Sequence, residues 1–304
     1  MKSKIILFLL TWSVVITCHA NTITRVIKDA AHKFGVVEVR GNNYQPGQPT
    51  IIFLHGIGER GKGTYSDLGR IANWGGVQYL YQATDIFNFN VVAVQTASNY
   101  EYGEIQYAIE YAVNQGADPD RVYVVANSLG GYGFAQQAGL DITLPGRFAA
   151  VVMIVMGPGE GTQTAANIFA SKTPIWFFSS ADDLTSGTTV YKTDTLYNRI
   201  KRMGGNTWYT RYLSGGHGII SRITGAYYKA PNNWKIAVCA TGSSISATIF
   251  CSPPVSVYTW LMANKRGVVV PPTMIAPAPL PVPEKKVIET IELYSDSTWR
   301  RVYQ

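Results

Sequence analysis

The stretch Arg121-Val-Tyr-Val-Val-Ala-Asn-Ser-Leu-Gly-Gly131 stands near the middle of the 304-residue chain. Its first half is a run of β-branched and aromatic residues, which is typical of a strand buried on both faces of a sheet. Ser128 follows, with a small residue two positions before it and another two positions after it, and a predicted helix comes next. Small neighbours let strand and helix approach closely, which holds the serine between them on a strained, exposed turn. The stretch therefore predicts a nucleophile elbow, with Ala126 where such turns usually have glycine.

Strand and helix patterns alternate on both sides of this elbow. Strands are predicted at Gly35–Arg40, Thr50–Leu54, Asn90–Val94, Arg121–Ala126, Ala149–Val155, Pro174–Phe178 and Thr207–Tyr212. Helices are predicted at residues 101–115, 129–140, 162–170, 191–203 and 255–265. Alternation of this kind indicates an α/β protein whose central sheet is mostly parallel and carries helices on both faces.

A glycine-rich segment, His55-Gly-Ile-Gly-Glu-Arg-Gly61, follows the buried strand Thr50–Leu54. Glycines there let backbone N–H groups point into a cleft, where they can stabilise the oxyanion of a tetrahedral intermediate. A phosphate-binding loop is the other interpretation, but Lys62 lacks the spacing and the following Ser or Thr of that motif. We favour the oxyanion interpretation.

A candidate acid and a candidate base follow two later strands. Asp182 and Asp183 come after the strand Pro174–Phe178, and His217 lies in a glycine-lined loop after the strand Thr207–Tyr212. The order serine, acid, histidine is that of one known type of catalytic triad. Asp183 and Asp182 are both candidates for the acid, although adjacent carboxylates can also cap a loop through Asx turns.

Together these segments resemble the α/β-hydrolase superfamily. Within it, the chain is most similar to secreted esterases of the phospholipase/carboxylesterase and polyhydroxybutyrate-depolymerase-like groups, over about residues 35–266. The similarity rests on the His55–Gly61 segment, on Asp118-Pro-Asp-Arg-Val-Tyr123 and on Ser128-Leu-Gly-Gly131. It implies an α/β-hydrolase fold and an exported serine esterase.

The resemblance also implies a role for each candidate site residue. Ser128, Asp183 and His217 would form the triad, and the backbone N–H groups of Ile57 and Leu129 would be the oxyanion donors. His55, Gly56 and Gly130 would support the site structurally. Members usually carry His-Gly-x-x-Asp before the acid, and Ser179-Ser180 departs from that pattern.

The implied reaction is hydrolysis of a carboxylic ester through an acyl-enzyme, which requires no cofactor and no metal. The expected substrate is a small-molecule or glycan-linked ester, such as feruloyl or acetyl groups on plant-cell-wall glycans, or a polyester. A serine peptidase of the same fold is an alternative, as is a non-catalytic surface or carbohydrate-binding protein with a decayed site. An aryl- or sugar-binding surface near the cleft could draw on Tyr65, Trp74, Tyr100, Tyr102 and Tyr132, whereas Trp176 is expected in the core.

Residues 1–20 have the charged start, apolar run and small final residue of a secretory signal peptide, with cleavage expected near Ala20. Export would make the protein secreted or periplasmic; a lipid anchor on Cys18 is a minor alternative. No other run is apolar and long enough to suggest an integral membrane segment after cleavage. Cys239 and Cys251 would remain, and in an oxidising compartment they are expected to form a disulfide.

The rest of the chain divides by composition into a catalytic domain at 21–266, a Pro-rich linker at 267–284 and a hairpin-like tail at 285–304. With 46% hydrophobic and 15% charged residues, the chain is not a disordered protein. The net charge of +7 comes largely from residues 191–235, without a run of five like charges. Nucleic acid is therefore not expected as a partner, and the basic excess favours at most anionic substrates.

Overall fold

A computed structural model describes residues 21–81, 88–101, 103–157, 159, 161–185, 190–225, 249–250, 256–271, 290–293 and 299–302. The predicted signal peptide and most of the predicted linker lie outside these residues. So do Cys239 and Cys251, and the disulfide between them stays a prediction.

A nine-stranded sheet forms the centre of the protein, in the order β1-β2-β4-β3-β5-β6-β7-β8-β9. Its strands are β1 (Thr22–Val26), β2 (Val36–Arg40), β3 (Thr50–Leu54), β4 (Asn90–Val94), β5 (Val122–Asn127), β6 (Ala150–Ile154), β7 (Ile175–Ser180), β8 (Thr207–Tyr212) and β9 (Ile249–Phe250). The pairs β1–β2 and β2–β4 are antiparallel, and every other neighbouring pair is parallel. All seven predicted strands are present, within two residues of their predicted ends.

Eight α-helices surround the sheet in the described part of the chain. They are α1 (Tyr65–Ala72), α2 (Gly75–Tyr81), α3 (Glu104–Asn114), α4 (Leu129–Leu140), α5 (Thr162–Ser171), α6 (Val190–Arg202), α7 (Ile219–Gly225) and α8 (Val257–Ala263). The five predicted helices are confirmed, and the sequence reasoning missed α1, α2 and α7. None of these helices is both long and apolar enough to cross a bilayer.

The sheet has a hydrophobic core on each face, because alternate side chains of its strands point in opposite directions. One face packs against α3, α4, α5 and α6, and the other packs against α1, α2, α7 and α8. In β3, Ile52 and Leu54 belong to the first core while Ile51 and Phe53 belong to the second. Trp176 is fully buried in the second core, as expected.

Two further strands, β10 (Thr290–Leu293) and β11 (Trp299–Val302), form an antiparallel pair. They lie in the segment for which the sequence predicts a hairpin. Within the described residues this pair forms a sheet of its own and is not hydrogen-bonded to the central sheet.

Candidate active site

Ser128 stands between the last residue of β5 and the first residue of α4. Its backbone has φ 50° and ψ −108°, a region that residues other than glycine rarely occupy. The turn is held from both sides, because the Ser128 N–H donates to Ile154 O at 2.9 Å and the Ser128 carbonyl accepts from Gly157 N at 3.2 Å. The strain is therefore fixed by hydrogen bonds to the segment at the end of β6.

Gly130, two residues after the serine, is required because helix α4 and strand β3 pack closely together. A Cβ built on Gly130 would lie 2.2 Å from the carbonyl oxygen of Leu54, far inside van der Waals contact. The start of α4 therefore rests directly on the end of β3. Ala126 pairs with Leu54 in the sheet and is fully buried, so its methyl group is accommodated where a nucleophile elbow usually has glycine.

His217 and Asp183 come together at the ends of two neighbouring strands, β8 and β7. The imidazole Nδ1 lies 2.9 Å from Asp183 Oδ2. The Asp183 side chain is only 1% exposed, and its Oδ1 accepts from Thr185 N at 3.0 Å. A buried carboxylate on Nδ1 favours the tautomer with the proton on that nitrogen, which leaves the basic lone pair on Nε2.

Asp182, the neighbouring carboxylate, binds the loop that carries the histidine. Its two oxygens accept from Gly215 N at 3.1 Å and from Gly216 N at 2.8 Å. Both glycines have positive φ, 122° and 52°, which turns their N–H groups toward one side of the loop. The hydroxyl of Ser180 also donates to Asp182, and this bond is the largest cause that lowers the pKa of the carboxyl. Of the two adjacent carboxylates, Asp183 contacts the imidazole of His217, whereas Asp182 binds the backbone of the two glycines that precede His217.

His55 is fully buried at the start of the glycine-rich segment. Its Nδ1 lies 2.7 Å from the carbonyl oxygen of Gly56, and its Nε2 lies 3.1 Å from the N–H of Thr96. These partners fit a neutral ring that donates from Nδ1 and accepts at Nε2. Burial lowers the pKa of His55 to about 4. The residue thus links its own loop to the segment after β4, and its role in supporting the site stays a prediction.

One predicted oxyanion donor lies in the glycine-rich segment after β3, and the other lies at the start of α4. Ile57 is the first residue of a short 3-10 turn, Ile57–Glu59, and Leu129 is the first residue of α4. The N–H groups at the start of a helical turn have no partner within that turn, so they point outward as donors. A Cβ built on Gly56 would lie 3.9 Å from the Cβ of Ser128, which shows how closely this loop approaches the serine.

A cavity of about 290 Å³ joins these segments. It is lined by Phe53, Gly56, Ile57, Gly58, Glu59, Ile71, Trp74, Asn127, Ser128, His217, Gly218, Ile220 and Ser221. The cavity therefore contains the candidate nucleophile, the candidate base and one of the two candidate oxyanion residues. Of the aromatic residues suggested for the cleft, Trp74 lines the cavity, Tyr100 is buried next to His55, and Tyr102 lies outside the described residues.

Glu59 is a lining residue to which the sequence analysis gave no role. Burial raises the pKa of its carboxyl above the usual value, and the nearby backbone N–H groups of Gly56 and Glu59 partly offset this effect. Glu59, Gly58 and Trp74 also line an adjoining surface groove of about 510 Å³, together with Ser66, Gly69, Arg70 and Asn73. The position of Glu59 within the glycine-rich segment was the only sequence signal for its place beside the serine.

Comparisons with known proteins gave structural similarity alone. No protein-family model and no curated protein sequence matches the chain. Among solved structures, the chain is similar to a thermostable esterase, with a TM-score of 0.51 and 19% identity, over 82% of this chain and 64% of that one. The chain thus spans less than two thirds of that esterase.

A second similar structure is MGS-M1, an α/β hydrolase enzyme from a Medee basin deep-sea metagenome library. The TM-score is 0.46 at 14% identity, over 66% of this chain and 85% of that one. The strand order and direction, the serine between β5 and α4, and the similarity to the thermostable esterase show that this chain has the α/β-hydrolase fold.

Proposed function

We propose that the protein is an exported serine hydrolase that cleaves carboxylic esters. The observation that carries this proposal is the shared cavity of Ser128 and His217, in which the serine has a strained backbone and the imidazole contacts the buried carboxylate of Asp183. The esterase activity named for the similar thermostable enzyme agrees with it. Export is proposed from the signal-like residues 1–20, and β1 begins at Thr22, just after the expected cleavage point.

The proposed mechanism is acyl transfer in two steps. His217 Nε2 takes the proton of Ser128 Oγ while Oγ attacks the ester carbonyl carbon, and the N–H groups of Ile57 and Leu129 bind the resulting oxyanion. The intermediate then collapses, the C–O bond to the alcohol breaks, and His217 returns the proton to the leaving oxygen. Water, activated by the same histidine, hydrolyses the acyl-enzyme. Asp183 holds the imidazole in the reactive tautomer and stabilises the imidazolium.

The cavity favours esters with at least one small apolar group. Phe53, Ile71 and Ile220 supply apolar walls, and Trp74 stands at the boundary with the groove outside. A volume near 290 Å³ is suited to a short acyl chain or a single aryl ring. Acetyl or feruloyl esters of plant-cell-wall glycans, and polyesters, are the substrates that the resemblance to secreted esterases suggests.

The test is hydrolysis of p-nitrophenyl butyrate by the mature protein, with Ser128→Ala as the matched control. We expect turnover by the native enzyme and a loss of at least 10³-fold in the variant, because the nucleophile is absent. A fluorophosphonate should label the native protein at Ser128 only. Equal rates in the two proteins, or no labelling, would contradict the proposal, and faster cleavage of peptide amides than of esters would favour the peptidase alternative.

A further inference from the structure

Glu59 places a carboxylate beside the candidate nucleophile. A Cβ built on Gly56 would lie 3.1 Å from Glu59 Oε2 and 3.9 Å from Ser128 Cβ. Glu59 Oε2 and Ser128 Cβ are therefore at most about 7 Å apart. No step of the proposed mechanism uses this group.

No cation of the described residues neutralises Glu59. The guanidinium of its neighbour Arg60 donates to Asn99 Oδ1 at 2.7 Å. Arg70, which shares the groove with Glu59, donates to the Arg60 carbonyl at 2.7 Å and lies 3.4 Å from Asp67. None of the described residues that line the cavity is Lys or Arg. The described lining of the cavity thus holds one carboxylate and no Lys or Arg, although the whole chain carries a net charge of +7.

Trp74 adds an aromatic surface at the same place. Its side chain is 61% exposed, which is unusual for so large an apolar group, and it lines both the cavity and the groove, as Glu59 does. An indole face attracts a cation through its quadrupole, and a carboxylate attracts it by charge. An aromatic face and a carboxylate at one opening are the groups that bind quaternary ammonium ions.

We propose that Glu59 and Trp74 form a specificity site for esters that carry a quaternary ammonium or other alkylammonium group close to the scissile bond. The inference rests on the proposed esterase function and names its substrate class. It is opposite to the preference for anionic substrates that the overall charge suggested. A carboxylate or sulfonate on the substrate would meet the charge of Glu59 in a partly desolvated cavity, where like charges repel strongly.

The first experiment compares three p-nitrophenyl esters of matched shape: 4-(trimethylammonio)butyrate, the neutral 5,5-dimethylhexanoate and 4-sulfobutyrate. A second set compares choline butyrate with its neutral isostere 3,3-dimethylbutyl butyrate. The first set places the cation in the acyl group, and the second places it in the alcohol. We expect kcat/KM to favour the cation over its neutral isostere by about fivefold or more in one of the two sets, and the sulfonate to be the poorest acyl ester.

Variants then assign the preference to the two residues. In Glu59→Gln, which keeps the side-chain shape and an acceptor oxygen, the ratio of kcat/KM for the cationic ester to that for the sulfonate should fall about tenfold or more. In Trp74→Leu, the ratio of the cationic ester to its neutral isostere should fall while the sulfonate stays poor. Glu110→Gln, which removes an exposed carboxylate from α3, should leave every ratio unchanged.

The outcomes separate this inference from the proposed function. If the native enzyme hydrolyses the neutral esters but shows no preference for the cation in either set, or if Glu59→Gln keeps the native ratios, the ammonium site is wrong and the esterase assignment stands. If no ester is hydrolysed and Ser128 is not labelled, the esterase assignment itself fails. If the Glu59 variant does not fold, inhibition of the native enzyme tests the site instead. Butyltrimethylammonium should inhibit ester hydrolysis at a lower concentration than butanesulfonate does, and the reverse order would overturn the site.

Discussion

At the residue scale, the backbone of Ser128 combines function with strain. Its φ of 50° and ψ of −108° place the hydroxyl at the end of β5, where the cavity opens. A side chain at such a position costs on the order of 1–3 kcal/mol, whereas glycine adopts it freely. The nucleophile is thus held in place at the expense of stability.

This strain predicts different stabilities for two inactive variants. Ser128→Gly relieves the backbone, whereas Ser128→Ala keeps the Cβ that causes the strain. We expect the glycine variant to have the larger free energy of unfolding, by about 1 kcal/mol after the greater entropy of unfolded glycine is subtracted. Urea unfolding of both proteins measures the difference, and a more stable alanine variant would contradict the strain argument.

Asp182 and Asp183 are adjacent residues with different predicted roles. Asp183→Asn removes the negative charge beside His217 Nδ1 and should lower kcat by about 10⁴-fold, because the imidazole tautomer changes. Asp182→Asn leaves that contact intact and weakens the bonds to Gly215, Gly216 and Ser180, so we expect a loss of about 10- to 100-fold, mainly in kcat. Steady-state kinetics of both variants on one neutral ester measure the two losses in kcat. A larger loss for Asp182→Asn would reverse the two roles.

At the scale of the loop, His55 makes stability depend on pH. The folded protein holds this imidazole neutral with a pKa of about 4, against an ordinary value of about 6.5 in the unfolded chain. The unfolded state therefore binds a proton first as pH falls, and stability is lost between about pH 6.5 and pH 4. Between pH 7 and pH 5 the loss from this one group is about 2 kcal/mol.

The variant His55→Gln isolates this contribution. It is expected to unfold more easily at pH 7, but its stability should fall less than that of the native protein between pH 7 and pH 5. Denaturant unfolding at the two values measures this difference in slope. His32→Gln is the matched control, since His32 is on the surface beside Asp29. Equal slopes for the native protein and the His55 variant would show that His55 does not titrate as proposed.

The inner strands of the sheet and five of the helices were predictable, whereas the edge strands β1 and β9 and the short helices α1, α2 and α7 were missed. The helix α4 has the predicted bounds, 129–140, because it follows a recognisable strand and elbow. By contrast, α1 and α2 lie in a glycine-containing stretch, and α1 depends on the Thr64 side chain, which accepts from the N–H of Asp67. Gly76 in α2 packs so closely that an added Cβ would lie 2.9 Å from Thr224, a contact that only the folded chain creates.

The candidate site was likewise predictable where it depends on local sequence patterns and not where it depends on contacts between distant segments. The triad order and the glycine-rich segment were visible as local patterns, each immediately after a strand. The meeting of Glu59, Trp74 and Ser128 at one cavity depends on three separate connections, after β3, after α1 and after β5. Substrate preference depends on side chains that are distant in the sequence and close in the fold. It could therefore be inferred only from the three-dimensional structure.

At the scale of the whole molecule, the last two described strands, β10 and β11, are not hydrogen-bonded to the central sheet. The strands β10 and β11 pair with each other, whereas Trp260 Nε1 donates to Val270 O at 2.9 Å and so fixes the chain to the domain before residue 272. Deletion of residues 272–304 should therefore change kcat/KM for a small soluble ester by less than about twofold. Assays of the shortened and full chains, with their melting temperatures, test this expectation. A loss of more than tenfold would show that the tail contributes to the active site.

The strand order also determines when the active site can form during folding. The strand β3 pairs with β4 and with the central strand β5, and β5 ends at Asn127, more than seventy residues after Leu54. Closing such long loops is slow, because chain entropy is lost before distant contacts stabilise the sheet. Gly130 can reach Leu54 only after β3 and β5 have paired. In a refolding experiment, Ser128 should therefore react with a fluorophosphonate only after β3 and β5 have paired. The time course of labelling would then measure how fast the centre of the sheet forms.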